Sequence, residues 1–273
     1  MQLSVVIITY NEEANIGRTL ASVQPLVSDG KGEIIVVDSG STDRTVEIAK
    51  SFGAKVFVED WKGYAAQKNS AIDKAAGDWI LSLDADEELD RDLTSLIPHV
   101  TAQKQARPKQ ELLIAMGWPS PPDGDGYFIR RRNKFLGRWI EHGGYWPDPK
   151  LRLFRKGSGT FENRAVHEDI RVDGRTGRIR SGALIHHSYP TLSDYIEHMN
   201  RYSSLGAEMV VAKGKVRFSF ANIVLRPLFT FFYNYFFRLG FLDGREGLLL
   251  HLYHAVYVSW KYAKAWELSR NQK

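Results

Sequence analysis

The sequence predicts an α/β fold built on a mixed, mainly parallel sheet, and two patterns in the first hundred residues support this. Short apolar runs alternate with segments whose apolar residues recur at helical spacing. The runs are continuous, as in strands covered on both faces: LSVVIIT (3–9), EIIVVD (33–38), KVFVE (55–59) and WILSLD (79–84). A strand-helix-strand repeat of this kind is typical of a parallel sheet.

The composition indicates a globular chain. Of 273 residues, 43% are hydrophobic and 25% are charged, which argues against disorder and against a protein with many membrane spans. The absence of cysteine excludes disulfides and thiolate metal sites. The N-terminal MQLSVVIITYNEE lacks the basic start and cleavage site of a secretory signal, so we expect a cytoplasmic start.

The chain divides at about residue 190. Residues 107–126 are rich in proline and glycine and predict an irregular loop within the first part. Strand-like runs then follow at 126–131, 150–156 and 183–189, and these predict an antiparallel extension of the sheet. From Leu192 the pattern is helical. We therefore expect a domain over 1–190, with halves 1–100 and 126–190, and a helical region over 191–273.

Carboxylates crowd the end of the fourth predicted strand, where ILSLDADEEL places Asp84, Asp86, Glu87 and Glu88 almost in succession. Like charges at this spacing repel, so a cation, or a ligand that carries one, would stabilise them. The alternative is a solvated acidic turn. We expect Glu87 and Glu88 to begin the next helix, because carboxylates favour a helix N-terminus.

Polar residues also follow the first and second predicted strands, at 9–12 and 38–40. In a parallel sheet ligands bind beyond the carboxyl ends of the strands, so these groups should share one edge with Asp84 and Asp86. Neither common glycine-rich phosphate loop follows the first strand, and Leu89 stands where a calcium loop requires glycine. The D-x-D that remains suits a hard divalent cation that also binds phosphate oxygens.

Three segments in order, VVIITYNEE, IIVVDSGSTDRTVEIA and AAQKNSAIDKAAGDWILSLDADE, closely resemble the nucleotide-sugar-binding half of inverting family-two glycosyltransferases. The resemblance implies a GT-A fold. Further segments, including AVHEDI and LIHHSYPTLSDYIEHMNRYSSLGAEMV, resemble the subgroup that adds sugars to lipopolysaccharide core or related lipid-linked acceptors. Domain 1–190 would then be the catalytic domain, with its acceptor half at 126–190.

The resemblance also implies roles for individual residues. Those expected to contact the nucleotide sugar are Thr9, Tyr10, Glu12, Asp38, Lys68, Asp84 and Ala85. Asp38 would accept a hydrogen bond from the uracil imide, which cytosine could not donate; a helix cap for the segment after Ser39 is the alternative. Lys68 would reach the diphosphate, unless it is simply a solvent-facing lysine.

A divalent cation, Mg²⁺ or Mn²⁺, is the implied cofactor, with Asp86, Asp84 and His186 as its ligands. A structural role for His186 is the alternative. Glu168 in VHED would be the general base that accepts the proton of the acceptor hydroxyl, with Asp169 as second choice. A surface acidic pair is the alternative for these two residues.

The C-terminal region combines positive charge with aromatic residues. Residues 201–273 contain 11 Lys and Arg against 4 Asp and Glu, and 13 of the 33 aromatic residues lie between Phe218 and Trp260. This favours an anionic membrane surface over nucleic acid as the partner. Arg226 and Arg238 interrupt the apolar segment 220–242, so we expect an in-plane helix rather than a spanning one. The alternative is that these helices cover the sheet or a second subunit.

Together with the C-terminal pattern, the resemblance implies an enzyme on the cytoplasmic face of the inner membrane that transfers a hexose, glucose above all, from a UDP-sugar to a lipid-linked saccharide. Two other functions are consistent with parts of the sequence. A nucleotidyltransferase also pairs an α/β sheet with metal-binding acids, but its basic glycine-rich loop is missing. A membrane-associated module could retain a sugar-nucleotide fold without catalysis. The sequence does not indicate an oligomeric state.

Overall fold

A computed structural model of the chain describes residues 2–102, 124–162, 170–214 and 216–271. By internal contacts the chain divides into two compact units. Unit 1 comprises Met1–Arg131, Pro149–Arg164 and Glu168–His186, and unit 2 comprises Arg132–Asp148, Ala165–His167 and His187–Lys273. The division of the sequence at residue 190 stays a prediction.

Eleven strands are found in the described residues. They are β1 (Leu3–Thr9), β2 (Gly32–Asp38), β3 (Lys55–Val58), β4 (Trp79–Asp84), β5 (Glu87–Leu89), β6 (Gly126–Phe135), β7 (Arg138–Ile140), β8 (Lys150–Arg155), β9 (Gly159–Phe161), β10 (Ile170–Val172) and β11 (Thr176–Tyr189).

Seven α-helices accompany the strands in the same part of the chain. They are α1 (Ile16–Val27), α2 (Thr45–Ser51), α3 (Tyr64–Asp73), α4 (Arg91–Thr101), α5 (Leu192–Val211), α6 (Arg226–Phe232) and α7 (Gly244–Asn271). Two π-helical turns, Ala221–Leu225 and Tyr233–Phe237, flank α6, and 3₁₀ turns occupy Ser28–Gly30 and Gly240–Asp243.

Nine strands form one mixed sheet in the order β3-β2-β1-β4-β8-β6-β11-β5, with β7 paired to β6. The neighbours β3, β2, β1 and β4 are parallel, whereas β8 pairs antiparallel with β4 and β6, and β11 pairs antiparallel with β5. This confirms the predicted α/β fold and its antiparallel extension. Strands β9 and β10 form a separate antiparallel pair.

Unit 1 has apolar cores on both faces of the sheet, which is why its parallel strands are continuously apolar. Alternate residues of β1 point in opposite directions. Val5 and Ile7 pack with Leu20 of α1, whereas Val6 packs with Ala71 of α3. All five are almost completely buried. The sheet edge that carries the polar residues is therefore held between two layers of helices.

Unit 2 is organised around α5 and α7. A capping box, in which Thr191 and Asp194 bond each other's backbone N–H groups, begins α5. The Lys264 ammonium of α7 donates to the Asn200 carbonyl at 2.8 Å and to the Ser203 hydroxyl at 2.7 Å on α5. A smaller apolar cluster includes Phe135, Tyr195 and Leu250. The C-terminal region is thus helical, as the sequence predicts.

Candidate functional site

Three residues predicted to bind the ligand lie at one edge of the parallel sheet. Thr9 pairs with Asp38 in the β1–β2 register, and Ile8 pairs with Asp84 in the β1–β4 register. The carboxyl ends of three adjacent strands therefore bring Thr9, Asp38 and Asp84 together. This is the edge at which open α/β sheets bind ligands.

Asp84 is held by two cations. The Lys68 ammonium lies 2.7 Å from Asp84 Oδ1, and the Arg152 guanidinium pairs with Oδ2. Burial alone would raise the pKa of Asp84, but Arg152 and Lys68 together hold it well below its usual range. Asp84 is therefore a carboxylate whose two oxygens are both paired within the protein.

Glu87 shares the same arginine. Arg152 donates to Glu87 Oε1 at 2.7 Å, and Arg131 lies 3.2 Å from that oxygen. Glu87 is fully buried and Arg152 is 6% exposed, so neither charge is compensated by water. Burial would lower the pKa of Arg152, but Asp84 and Glu87 raise it above its usual value. We call Lys68, Asp84, Glu87, Arg131 and Arg152 the ion cluster.

The prediction that Glu87 and Glu88 begin a helix is wrong. Both belong to β5, where His186 of β11 pairs with Glu87. Helix α4 begins at Arg91, and the Asp90 carboxylate caps it by accepting from the Leu93 N–H at 2.8 Å. Glu87 instead forms ion pairs with Arg131 and Arg152. These pairs join segments that are distant in sequence, so local patterns do not indicate them.

Asp86 has a different partner from Asp84. Its Oδ2 lies 3.2 Å from His186 Nε2, and the two side chains are 24% and 16% exposed. Burial would raise the pKa of Asp86, but the His186 imidazole outweighs it and lowers that pKa. The structure thus brings together a carboxylate and an imidazole that the sequence predicts as metal ligands.

The residues present fit a divalent cation in part. Within the described residues no group of three His, Asp or Glu side chains is arranged to hold a metal ion. Asp86 and His186 together could supply one oxygen and one nitrogen ligand. Asp84 does not fit as the third ligand, because Lys68 and Arg152 already engage both of its oxygens.

Asp38 shapes the loop that follows β2. Its Oδ1 accepts from the N–H groups of Gly40 at 3.0 Å and Ser41 at 2.8 Å, and its Oδ2 accepts from the Ser41 hydroxyl at 2.5 Å. The side chain is fully buried. These contacts fix the turn after β2 and do not form the helix cap considered as the alternative, because the next helix begins at Thr45 with Arg44 before it.

Some polar atoms near the strand ends have no partner in the part of the chain that the structure describes. They are buried and comprise Thr9 Oγ1, Ser39 Oγ, and the amide nitrogen and oxygen of Gln67 on α3. A buried polar atom without a hydrogen bond lowers the stability of the folded protein by about 1–3 kcal/mol. A bound ligand that forms a hydrogen bond with such an atom would remove this penalty. Thr9, a predicted binding residue, is among them.

The segment after β1 combines an exposed ring with a half-buried acid. Tyr10 is 57% exposed. Asn11 has a φ of 54°, and its N–H donates to the Ser41 hydroxyl at 2.8 Å, which ties this segment to the loop after β2. Burial, together with Asp86, Asp43 and Asp84, raises the pKa of Glu12. Glu12 is therefore repelled electrostatically by Asp84 and Asp86, the carboxylates at the edge of the sheet.

Two other predicted residues are fixed by contacts with the rest of unit 1. The Ala85 carbonyl accepts from the Thr19 hydroxyl of α1 at 2.6 Å, which holds the backbone of the D-x-D segment. Lys68 is 8% exposed and lies 5.1 Å from the centre of the Phe161 ring, so it is not a solvent-facing lysine. Glu168 and Asp169 lie outside the described residues.

Sequence reasoning missed Arg131 and Arg152. The available signal is the position of Arg152 in KLRLFR, between Leu151 and Leu153 within an apolar strand. Arginine is almost never fully buried without a carboxylate partner, so such a residue implies one.

Replacing Arg152 with methionine should destabilise the protein by about 3–5 kcal/mol, because Asp84 and Glu87 would lose their shared buried cation. Urea unfolding of the full chain measures this loss. Arg155→Met is the control on the same strand, since Arg155 is 41% exposed at its side chain and its 3.7 Å pair with Asp125 is worth about 1 kcal/mol or less. Equal losses in the two variants would contradict the importance of the ion cluster.

Comparison with known proteins identifies the family of this chain. The family described as "Glycosyl transferase family 2" matches residues 4–147. The chain is 31% identical to the lipopolysaccharide core biosynthesis glycosyltransferase LpsC of Rhizobium meliloti over 98% of this chain and 93% of that protein. It is 44% identical to the dolichyl-phosphate hexose transferase of Haloferax volcanii over 26% of this chain and 30% of that protein.

Among solved structures, S. aureus TarS 1–349 in complex with UDP is similar to this chain with a TM-score of 0.49 and 17% identity. The match covers 100% of this chain and 92% of that one. The family match spans more than half of the sequence and covers the four parallel strands apart from Leu3. The chain belongs to glycosyl transferase family 2 and is a glycosyltransferase with a GT-A fold.

Proposed function

We propose that this glycosyltransferase moves a hexose, most simply glucose, from a UDP-sugar to a hydroxyl of a lipid-linked saccharide such as lipopolysaccharide core. Asp86 carries the proposal, because it is a partly exposed carboxylate that is paired with His186 beside the ligand-binding edge of the sheet. LpsC, a relative aligned over 98% of this chain, is named for lipopolysaccharide core biosynthesis, and this supports the choice of acceptor.

The donor's nucleoside would bind where β1 and β2 end. The exposed Tyr10 ring offers a stacking surface, and the buried Thr9 hydroxyl lacks a partner among the described residues. Glu12 would accept hydrogen bonds from the ribose. Asp38 would contact the uracil while its bonds to Gly40 and Ser41 hold the loop in shape.

Asp86 and His186 would hold Mg²⁺ or Mn²⁺, with oxygen atoms of the donor's diphosphate completing the coordination. When bound, the cation would neutralise charge on the departing diphosphate. Lys68 and Arg152 place two further positive charges around Asp84 at the same edge. In this proposal Asp84 holds these cations in place, with the ribose as its other contact, and Ala85 contributes its backbone.

Glu168 would act on the acceptor, with Asp169 as the second choice. Its carboxylate would take the proton of the acceptor hydroxyl while the new bond forms at the anomeric carbon and the bond to the UDP oxygen breaks. Attack from the face opposite the leaving group inverts the configuration of that carbon. The assignment follows from the match between VHED, residues 166–169, and the family segment that bears the base.

Unit 2 presents a large apolar surface, which we call the aromatic segment, over residues 218–242. Its large exposed side chains are Phe218, Phe220, Leu225, Leu228, Phe229, Phe232, Tyr233, Phe236, Phe237, Leu239, Phe241 and Leu242. Within the described residues no helix is both long enough and apolar enough to cross a bilayer. We propose that the aromatic segment lies in the plane of the inner membrane at its cytoplasmic face.

Charge supports a lipid surface as the occupant. Residues 201–273 carry a net charge of +7, from 11 basic and 4 acidic residues, against a total of +5 for the chain. Basic residues beside exposed aromatic and aliphatic side chains are typical of helices that bind anionic lipids in plane. Arg226, within this segment, pairs with the Tyr262 hydroxyl of α7 and lies over its ring.

Asp86→Ala should abolish the Mn²⁺-dependent part of UDP-glucose binding. In a thermal-shift assay, wild-type protein with Mn²⁺ and UDP-glucose at 100 times its dissociation constant should gain about 2.7 kcal/mol, a shift of a few degrees. The variant should shift no more with Mn²⁺ than without it. Asp92→Asn, on the exposed face of α4, is the control and should behave as wild type. An undiminished Mn²⁺ effect in Asp86→Ala would contradict the proposed metal site.

Glu168→Gln should lower kcat by about 10²–10⁴-fold, because the amide cannot accept the hydroxyl proton, whereas the affinity for UDP-glucose should stay unchanged. Steady-state transfer and equilibrium binding of the donor separate the two effects. Asp169→Asn is the matched comparison and should retain most of the activity. Wild-type kcat in Glu168→Gln, with loss in Asp169→Asn, would move the base to Asp169.

Phe229→Asp together with Phe237→Asp should release the protein from vesicles that contain phosphatidylglycerol. These side chains are 69% and 80% exposed, so the charges should not unfold the protein but would have to enter the lipid interface. Sedimentation with vesicles measures the bound fraction. Val58→Asp, at a side chain 63% exposed in unit 1, is the control. Equal sedimentation of the double variant and the control would place the membrane contact elsewhere.

A further inference from the structure

Gln67, in the first turn of α3, is a buried residue of unit 1 that the proposed function does not use. Its side chain is completely buried, and neither the amide nitrogen Nε2 nor the amide oxygen Oε1 has a hydrogen-bond partner among the residues that the structure describes. The Gln67 N–H donates to the Gly63 carbonyl at 2.9 Å, so the backbone is fixed at the start of the helix. The carboxamide is thus the part of this residue that lacks a partner.

Helix α3 runs antiparallel to the parallel strands of unit 1. Just beyond its C-terminal end, the Ala76 N–H donates to the Glu33 carboxylate at the beginning of β2, at 2.6 Å. Near its N-terminal end, the Lys68 ammonium lies 2.7 Å from Asp84 at the end of β4. The first turn of α3 therefore lies at the carboxyl ends of the strands, and Gln67 precedes Lys68 in that turn.

The next turn of α3 shows how far Gln67 lies along the sheet. Ala71, four residues later and on the same side of the helix, belongs to the same buried apolar cluster as Val6 of β1 and Ile35 of β2. Gln67 lies about 6 Å nearer to the strand ends, because an α-helix rises about 1.5 Å per residue. This distance corresponds to about two residues of a strand. The Gln67 side chain therefore lies near the last residues of β1 and β2.

Two buried hydroxyl groups at these strand ends also lack partners in the described part of the chain. Thr9 ends β1 and Ser39 follows β2, and the Ser39 N–H donates to the Thr9 carbonyl at 2.9 Å. With the two amide atoms of Gln67, four buried polar atoms without partners thus lie at this edge of the sheet. Buried polar atoms in folded proteins are normally hydrogen-bonded, so such a group indicates a bound polar ligand.

The carboxamide of Gln67 matches the base of a nucleotide better than its phosphates. Nε2 donates, Oε1 accepts, and the group carries no charge. The edge of uracil is also uncharged and presents carbonyl oxygens beside an N–H group. A diphosphate instead requires positive charge, which Lys68 and Arg152 place at the end of β4. The Asp38 carboxylate can only accept hydrogen bonds, so a carbonyl oxygen of uracil needs a donor from another residue.

A comparison with Asn69, on the same helix, separates a ligand-binding amide from a structural one. Nδ2 of Asn69 donates to the Phe161 carbonyl at 3.0 Å, and its Oδ1 accepts from the Phe161 N–H at 2.9 Å. Both amide atoms of Asn69 are therefore used within the protein. No such bond holds the carboxamide of Gln67 among the described residues, so turning it toward a ligand breaks none of them.

We propose that Gln67 binds the base of the donor by donating a hydrogen bond from Nε2 to a carbonyl oxygen of uracil. This assignment rests on the proposed function, since it supposes a UDP-sugar as the donor. It adds a residue of α3 that contributes to the affinity for the base, alongside Asp38 and separately from the cation and the diphosphate.

The test measures equilibrium binding of UDP and of inorganic pyrophosphate, each with Mn²⁺, to the full chain and to its Gln67→Met variant. Methionine keeps the length of the side chain but cannot donate, so the Kd for UDP should rise about tenfold. The Kd for pyrophosphate, which has no base, should be unchanged. The melting temperature of the unliganded variant should not fall, because two buried polar atoms without partners are replaced by apolar ones.

Gln24→Met is the matched control, because the Gln24 amide on α1 donates to the Phe52 carbonyl at 2.7 Å. This variant should melt at a lower temperature than the wild type and should bind both ligands as the wild type does.

An unchanged Kd for UDP in Gln67→Met would overturn the inference while leaving the proposed function intact. Equal losses of affinity for UDP and pyrophosphate, together with a lower melting temperature, would also overturn it, because they would show a purely structural role. If the wild-type protein does not bind UDP, the proposed UDP-sugar donor fails and the inference fails with it.

Discussion

The bridge that Arg152 makes between Asp84 and Glu87 is the constraint on which the ligand-binding edge depends. Three carboxylates, Asp84, Asp86 and Glu87, follow one another at the end of β4, and their mutual repulsion would open this turn without buried cations. Arg152 neutralises the first and the third. Asp86 is left to pair with His186 at the edge of the sheet.

This division of partners gives neighbouring aspartates different chemistry. Asp84 is surrounded by permanent cations and stays ionised, as the low pKa caused by Arg152 and Lys68 requires. Asp86 faces an imidazole, which can give up its contact with the carboxylate and bind a metal ion through the same nitrogen. A D-x-D segment in this chain therefore contains one residue that organises the site and one that remains available to a cation. In the proposed function, that cation would lie beside the diphosphate of a nucleotide sugar.

Much of the fold could be predicted because the spacing of apolar residues along the chain indicates where strands and helices lie. The apolar runs 3–9 and 79–84 coincide with β1 and β4, since strands buried on both faces must be apolar throughout. The convergence of Thr9, Asp38 and Asp84 follows from parallel register alone. The prediction for the segment after Asp86 was wrong. Glu87 and Glu88 were expected to begin a helix, but pairing with β11 places them in a strand. Contacts between distant segments, such as Arg152 with Glu87 and Asp86 with His186, leave only weak local signals.

The most direct test of the division between Asp84 and Asp86 is a crystal structure of the protein with UDP and Mn²⁺, in which anomalous scattering locates the metal. We expect the metal to be coordinated by Asp86, His186 and diphosphate oxygens, with Asp84 still paired to Lys68 and Arg152. A metal bound to Asp84, with Lys68 or Arg152 displaced from it, would contradict the account.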